Sequence, residues 1–200
     1  MWYVGRNRFM GYFKNEEENK KTIDRKGFVH SGDEGRIDKN GTVYITGRIK
    51  ELIITAGGEN IPPVLIENEI IKEVPVASQV IVIGDMKKYL SCLITLKTKG
   101  PTDPSLADEV LSAFAKEGST AKTIQEIIKC PKVNNYIKRG IEQANKKAIS
   151  NAQRVQRHTI LPGELTIDSG AMTPTMKYKR KVIHDLYKAE IESMYIDSKL

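Results

Sequence analysis

Apolar and polar positions predict two differently built parts along the chain. Up to residue 47 the apolar runs are short: residues 28–30 predict a strand, and residues 35–38 and 42–46 predict two more on either side of Lys39-Asn40-Gly41. An Asn-Gly pair between short strands is typical of a hairpin turn. Too few apolar positions accompany these strands to cover them. We therefore expect residues 1–47 to be the last strands of a larger domain.

From residue 48 onwards the pattern predicts helices over a small sheet. Residues 52–54 predict a short buried strand, and a helix follows that begins at Pro62 and Pro63, with Asn60 as its cap. The next apolar runs, residues 80–83 and 90–96, predict two neighbouring strands. The order strand, helix, strand, strand indicates an α/β sandwich.

The rest of the pattern alternates helices with loops. We predict a loop over residues 97–104, helices starting near 105 and 124, a helix over 133–152, a strand over 158–161, an exposed loop over 168–175 and a last amphipathic helix over 180–195. The fold class is therefore α/β, of the α+β type: a small mixed sheet with flanking helices, preceded by a β-hairpin stretch. We place the domain boundary between residues 47 and 48, so that residues 48–200 form the second domain.

Composition and charge narrow the classes of function. With 40% hydrophobic and 28% charged residues the chain is globular, and its two cysteines predict neither a metal site nor a disulfide framework. The net charge of +7 fits nucleic acid, an anionic membrane surface or phosphorylated small molecules. No nucleic-acid module or aromatic interleaving accompanies the lysines, so we do not expect nucleic-acid binding. Nucleotide phosphates would account for the charge, and so would an ordinary solvated surface.

Several residues suit a nucleotide, and each also has a plainer explanation. Asp33 follows a glycine at a strand end, where a carboxylate accepts hydrogen bonds from both hydroxyls of a ribose or caps a turn. Arg48 suits a phosphate or ribose, or an ion pair with Glu51 on the surface. Gly57 and Gly58 allow either a close approach of backbone to ligand or a tight turn.

Lys177 is a further candidate that also has a plainer explanation. It lies in a predicted exposed loop, from which a long ammonium side chain can stabilise the negative charge that develops on phosphoryl oxygens. The alternative is a solvated basic surface that Lys177 shares with Lys179, Arg180 and Lys181.

Three motifs in this order carry a resemblance to a known family. They are Ser31-Gly32-Asp33, then Gly47-Arg48-Ile49-Lys50-Glu51-Leu52-Ile53-Ile54-Thr55-Ala56-Gly57-Gly58-Glu59-Asn60, then Met176-Lys177-Tyr178-Lys179-Arg180. Together they resemble the C-terminal end of the acyl-adenylate-forming enzymes, most of all the long-chain acyl-CoA synthetases of the bubblegum type. The resemblance covers nearly the whole chain and implies that the chain is a fragment of a larger enzyme.

The resemblance implies a role for each candidate residue. Asp33 holds the ATP ribose and Arg48 contacts the nucleotide, while Lys50 is the hinge about which a mobile lid rotates. Gly57, with Gly58, lines the tunnel for the pantetheine arm of CoA. Lys177 is the adenylating lysine, with Lys179 as the fallback; most members of the family have glycine where Met176 precedes this lysine.

The resemblance also implies substrates and missing parts. The intact enzyme would form acyl-adenylate from a fatty acid and ATP, and then acyl-CoA from CoA. The sequence contains no phosphate-binding loop, so we expect that loop and the Mg²⁺ ligand in a missing N-terminal domain, the main partner of this chain, and we expect the fragment alone to be inactive. The expected location is the cytoplasm, with peripheral contact to an intracellular membrane. Two alternatives stay open: another adenylate-forming ligase, for aryl or aminoacyl substrates, and a non-catalytic basic module for anionic lipid or protein.

Overall fold

A computed structural model of the protein describes residues 1–100 and 103–196 and divides the chain into two compact units, Met1–Leu52 and Ile53–Leu200. The predicted fold class is confirmed, since the second unit is built on a small mixed sheet with flanking helices and a β-hairpin precedes it. The predicted functional boundary between residues 47 and 48 stays a prediction. None of the helices in the described ranges has the length and apolar character needed to span a membrane.

The first unit consists of short strands and one helix: β1 (Trp2–Tyr3), α1 (Glu16–Thr22), β2 (Val29–His30), β3 (Asp33–Ile37) and β4 (Val43–Arg48), followed by a 3₁₀ turn at Ile49–Glu51. Strands β3 and β4 form the predicted antiparallel hairpin. In its turn the Asp38 carboxylate accepts the backbone N–H groups of Asn40 and Thr42, both at 2.9 Å, and Gly41 has a φ of +81°. The sequence Asp-Lys-Asn-Gly therefore specifies this turn locally.

The second unit carries most of the regular structure: β5 (Ile53–Ile54), β6 (Asn60–Ile61), α2 (Pro63–Glu73), β7 (Ala77–Ile83), β8 (Leu90–Leu96), β9 (Thr98–Gly100), β10 (Asp103–Leu106), α3 (Asp108–Lys116), α4 (Ile124–Lys129), α5 (Pro131–Asn145), a 3₁₀ turn at Asn151–Gln153, β11 (Val155–Ile160), α6 (Arg180–Leu186) and α7 (Lys188–Ser193). The predicted strands at 80–83 and 90–96 and the helices near 124 and 133 are confirmed.

The central sheet has the strand order β11-β8-β7, with β8 parallel to β11 and antiparallel to β7. All seven residues of β8 are buried, so the polar members of its alternating pattern do not face solvent. Instead they are hydrogen-bonded: Ser91 to the Tyr195 hydroxyl at 2.8 Å and Thr95 to the Gln79 side chain at 3.1 Å. Helices cover one face of the sheet, and the C-terminal segment covers the other.

Three predictions for the first half of this unit are wrong. Asn60 does not cap α2: it lies in β6, where it pairs with Ile54, and Pro62 occupies the cap position. Residues 97–104 are not a plain loop, because β9 and β10 pair with each other there. Strand β10 ends at Leu106, which is buried, so α3 begins three residues later than the sequence predicted.

Three predictions in the second half also need correction. Helix α5 ends at Asn145, well before residue 152, because the Asn145 side chain bonds the backbone N–H and C=O of Val155, each at 2.9 Å. The last helix is broken at Tyr187 into α6 and α7. The loop over 168–175 is only partly exposed, since Ala171 and Met172 are buried in the second core cluster.

Candidate functional site

The hairpin of the first unit brings Asp33 and Arg48 together. Asp33 opens β3 and Arg48 closes β4, and the two are directly opposite in the antiparallel register. The Arg48 Nε lies 3.3 Å from Asp33 Oδ1, and the arginine side chain is about half exposed. Gly32, with a φ of +74°, turns the chain into β3, and its carbonyl accepts the N–H of Ile49 at 2.9 Å. The result is a carboxylate and a guanidinium side by side at one end of a hairpin, which suits a ligand that carries hydroxyls and phosphate.

Lys50 lies in the 3₁₀ turn that follows this hairpin. Its side chain is 88% exposed, and its Nζ lies 4.0 Å from Glu18 Oε1. An exposed pair at this distance contributes little stability. The compact units divide after Leu52, two residues further along the chain. What distinguishes Lys50 is therefore the place of its backbone, just before the junction between the units.

Gly57 and Gly58 form the turn between β5 and β6 in the second unit. The Gly58 N–H donates to the Thr55 carbonyl at 2.9 Å, and the Glu59 N–H donates to the buried Thr55 hydroxyl at 3.2 Å. Gly58 has a φ of +79°, so the turn itself requires glycine there. At Gly57 a Cβ would meet only the Thr55 hydroxyl, at an ordinary contact distance of 3.8 Å. Local packing therefore does not explain the glycine at position 57.

This glycine turn is held against the loop between β7 and β8. The Ala56 N–H donates to the Lys87 carbonyl at 3.0 Å, and the Met86 N–H donates to the Ile54 carbonyl at 2.8 Å. The Asp85 carboxylate accepts the Ile54 N–H at 3.2 Å. These bonds connect a short irregular strand pair to the central sheet, so the exposed glycine turn has a fixed base.

Lys177 lies at the exposed end of a hydrogen-bonded turn. The Thr173 N–H donates to the Lys177 carbonyl at 2.8 Å, and the Lys177 N–H donates to the Thr173 hydroxyl at 3.1 Å. Met176, immediately before it, has a φ of +59°, a left-handed conformation that L residues other than glycine adopt at some cost. The backbone therefore explains why most members of the resembled family carry glycine here. Lys179 is also exposed, and its backbone N–H donates to the Ala171 carbonyl at 2.8 Å.

An ion pair that the sequence pattern did not predict joins the end of this loop to α2, with a buried carboxylate and a partly buried guanidinium. Arg180 donates from Nη1 and Nη2 to the two oxygens of Glu67, both at 2.8 Å, and the Glu67 residue is only 4% exposed. One signal for it existed in the sequence, because Glu67 shares the buried side of α2 with Pro63 and Ile70. A carboxylate at a core-facing helix position needs a partner.

Tyr178 and His158 are among the groups of the second unit whose pKa values are shifted. Burial raises the pKa of Tyr178, the residue after Lys177, and the nearby Glu67 charge adds to that effect. Burial also lowers the pKa of His158 in β11 to about 4, and the Lys138 charge acts in the same direction. Among residues 1–100 and 103–196 no group of three or more His, Cys, Asp or Glu side chains could hold a metal ion.

The predicted site residues thus fall into three places. Asp33 and Arg48 are in contact, and Lys50 follows them in the same unit. Gly57 and Gly58 lie on one loop of the second unit, and Lys177 lies on another. The roles assigned to these residues stay predictions.

Comparison with known proteins identifies the family. The sequence profile of the AMP-binding enzyme C-terminal domain matches residues 50–130. The protein named long-chain-fatty-acid–CoA ligase ACSBG2 from Xenopus laevis is 44% identical over 98% of this chain. The human protein named long-chain-fatty-acid–CoA ligase ACSBG1 is 42% identical, also over 98% of it. The chain spans only 28% of the length of each of these relatives.

Solved structures show the same fold. The adenylation domain of a carboxylate reductase from Mycobacterium chelonae matches 94% of this chain with a TM-score of 0.70 and 20% identity, and this chain covers 26% of it. ATP-bound MatB from Rhodopseudomonas palustris matches 92% of this chain with a TM-score of 0.56 and 23% identity, and this chain covers 29% of it. The resemblance seen in the motifs is confirmed: residues 50–130 match the AMP-binding enzyme C-terminal domain, and the chain is homologous over nearly its whole length to proteins named long-chain-fatty-acid–CoA ligases.

Proposed function

We propose that this chain is the lid, together with the last strands of the large domain, of a long-chain fatty acid–CoA ligase. The observation that carries the proposal is the identity of 41–44% over nearly the whole chain to proteins named as such ligases. The phosphate-binding loop, the acyl pocket and the Mg²⁺ ligands would then lie in the part of those relatives that this chain does not span. On its own, the chain is expected to be inactive.

The proposed first half-reaction is adenylation. A carboxylate oxygen of the fatty acid attacks the α-phosphorus of ATP, and pyrophosphate leaves with the electrons of the broken phosphoanhydride bond. Asp33 accepts hydrogen bonds from the ribose hydroxyls, and Arg48, already paired with Asp33 at 3.3 Å, contacts the nucleotide. The exposed Lys177 ammonium stabilises the negative charge that develops on the α-phosphoryl oxygens.

The proposed second half-reaction is thioester formation. The CoA sulfur attacks the acyl carbonyl, AMP leaves and the thiol proton is released. Rotation of the lid about Lys50 withdraws Lys177 and brings the Gly57 turn to the pantetheine arm. The two reactions need different protein groups beside the acyl-adenylate. A movement of the lid lets one active site supply each set of groups in turn. The absence of a packing reason for glycine at position 57 supports close approach of a ligand there.

Separate assays of the two half-reactions test the proposal in the full-length enzyme. One assay follows acyl-adenylate formation from fatty acid and ATP, and the other supplies acyl-adenylate and follows thioester formation with CoA. Lys177→Ala should lower adenylation by about a hundredfold or more, which is typical for the loss of one group that stabilises developing charge, and largely keep thioester formation. Lys179→Ala, two residues away on the same segment, is the matched control and should keep both.

Other results would change the assignment. If Lys177→Ala keeps adenylation and Lys179→Ala loses it, the adenylating lysine is Lys179. If the wild-type enzyme adenylates aryl or amino acids but not fatty acids, the chain belongs to another ligase of this family. If it shows neither half-reaction, the alternative hypothesis of a non-catalytic basic module that binds anionic lipid or protein becomes the better explanation. The cytoplasmic or membrane-peripheral location stays a prediction.

A further inference from the structure

Glu67, which is buried, and Arg180, which is partly buried, form an ion pair with the geometry of a clamp. Both oxygens of the carboxylate accept from different nitrogens of one guanidinium, each at 2.8 Å, so the two planar groups are fixed in distance and in angle. Glu67 Oε1 also accepts the backbone N–H of Val82 at 2.8 Å. Strand β7, which contains Val82, lies at one edge of the central sheet among the described residues, so Glu67 supplies a hydrogen-bond acceptor at that edge. The carboxylate therefore connects α2, the sheet edge and the start of α6.

Arg180 lies three residues after Lys177, and the residues between them are fixed as well. Tyr178 is half-buried, packs against the second core cluster and pairs with Met172 across a β-bridge. The Lys179 N–H donates to the Ala171 carbonyl at 2.8 Å. Lys177 itself is exposed, as is Met176 before it. The segment therefore has an anchored base at 178–180 and an exposed end that presents the Lys177 ammonium.

An ion pair shielded from water adds little to the free energy of unfolding, because removing the charges from water offsets most of their attraction. Well-packed apolar residues in the same place often stabilise a protein equally. The particular contribution of the ion pair is geometric, since a guanidinium and a carboxylate joined by two bonds hold their backbones in one relative placement. Helix α2 follows directly on the strand pair that carries Gly57, so the clamp also connects the glycine turn to the lysine loop within one unit.

We propose that Glu67 and Arg180 are positioning residues for Lys177, holding its loop so that the ammonium meets the α-phosphate during adenylation. The inference rests on the proposed role of Lys177. Their proposed role is indirect: Glu67 acts on Arg180, and Arg180 acts on the backbone that leads to Lys177. A misplacement of about 1 Å in a catalytic group can reduce a rate about a hundredfold, so a small shift of this loop is enough to matter.

The test compares Arg180→Lys with wild type in the full-length enzyme, with the two half-reactions assayed separately. Lysine keeps a positive charge beside Glu67 but lacks the planar fork, so the loop loses its fixed angle. We expect adenylation to fall at least about tenfold and thioester formation from supplied acyl-adenylate to stay within about twofold. Hydrogen exchange of the Lys177 and Lys179 amides should become faster, while exchange in β8 should not change. Lys181→Ala, an exposed neighbour, is the control and should match wild type in all three measurements.

A second variant covers the case in which Arg180→Lys folds poorly. Glu67→Gln together with Arg180→Met removes both charges and keeps an acceptor for the Val82 N–H. This pair should fold and should still lose adenylation selectively.

The outcomes separate this inference from the proposed function. If Lys177→Ala retains adenylation, the role of Lys177 fails and the positioning role fails with it. If Lys177→Ala loses adenylation but both pair variants keep it within about twofold, only the positioning role is overturned. A parallel loss of both half-reactions together with a lower melting temperature would make the pair purely structural and would also overturn it.

Discussion

Gly57 and Gly58 are adjacent in one turn but differ in what each position requires. Gly58 has a φ of +79°, whereas a Cβ at Gly57 meets no close neighbour. We predict that Gly57→Leu leaves folding and adenylation near wild type and lowers thioester formation by about tenfold or more, because the side chain would narrow the path of the pantetheine arm; a tenfold loss corresponds to about 1.4 kcal/mol. The measurement is the CoA dependence of the second half-reaction.

The control for this prediction is Gly58→Ala. It should cost about 1 kcal/mol of unfolding free energy, because alanine is strained in the left-handed region. Unfolding in urea measures that difference. If Gly57→Leu and Gly58→Ala instead lose stability alike, the turn alone explains both glycines and the CoA assignment at Gly57 fails.

We predict that His158 makes the stability of the second unit depend on pH. Its pKa is lowered to about 4 from an ordinary value of 6.5, first by burial and then by Lys138. Between these values the unfolded chain binds the proton more readily than the folded one. The stability contributed by the neutral ring is therefore complete above about pH 6.5 and is lost as pH falls towards 4, by at most about 1.4 kcal/mol per pH unit.

Urea unfolding between pH 7 and pH 4.5 tests this expectation. His158→Phe, which cannot titrate, should show a smaller loss of stability on acidification than wild type. His184→Gln, at an exposed position of α6, is the matched control and should lose as much as wild type. Equal acid sensitivity of wild type and His158→Phe would contradict the assignment.

At the residue scale the sequence identified the candidate side chains but not their contacts. Asp33 and Arg48 were each candidates because of the chemistry of their side chains. The hairpin turn predicted at Asn40-Gly41 joins the two strands that place them opposite each other. Glu67 and Arg180 are 113 residues apart, and no local pattern connects them. A pair that forms only through packing of α2 and α6 on one sheet is not encoded in either segment alone.

At the scale of elements, helix α5 crosses α2 closely at Gly140. A Cβ there would lie 2.4 Å from Val74 Cγ2 and 2.9 Å from the Glu73 carbonyl oxygen. Alanine is the better helix former by about 1 kcal/mol, but overpacking a tight contact costs about 1–3 kcal/mol. We predict that Gly140→Ala destabilises the protein, with urea unfolding as the measurement. The control is Asn135→Ala, at an exposed position of the same helix, which should stabilise the protein slightly. If Gly140→Ala also stabilises the protein, α2 and α5 can move apart at little energetic cost and the prediction is wrong.

Element types were predictable where local chemistry decides them, and element ends were not. Helix α4 carries its own start, a capping box formed by Thr123 and Glu126. The end of α5 depends on Asn145 bonding Val155, and Asn60 joins β6 because Ile54 is available to pair with it. These element ends are set by tertiary contacts, which override local conformational preference.

For the molecule as a whole, the proposed hinge role of Lys50 depends on its position just before the junction between the two units. Its φ is free to change only while the residue is not proline, and the proposed lid rotation needs that freedom. Proline at position 50 is compatible with a 3₁₀ turn but disfavours helical backbone at Ile49, so some general loss is expected. The side chain, 88% exposed, has little to contribute.

We therefore predict that Lys50→Pro slows thioester formation at least about tenfold and adenylation by no more than about threefold. The barrier to thioester formation should then rise by at least about 1.4 kcal/mol and the barrier to adenylation by no more than about 0.7 kcal/mol. Lys50→Ala removes the side chain and keeps the backbone freedom, so it should match wild type in both half-reactions. Both variants are measured in the full-length enzyme with the same two assays. Equal losses from Lys50→Pro in both reactions would place the hinge elsewhere, and losses from Lys50→Ala would mean that the side chain, not the backbone, is what position 50 contributes.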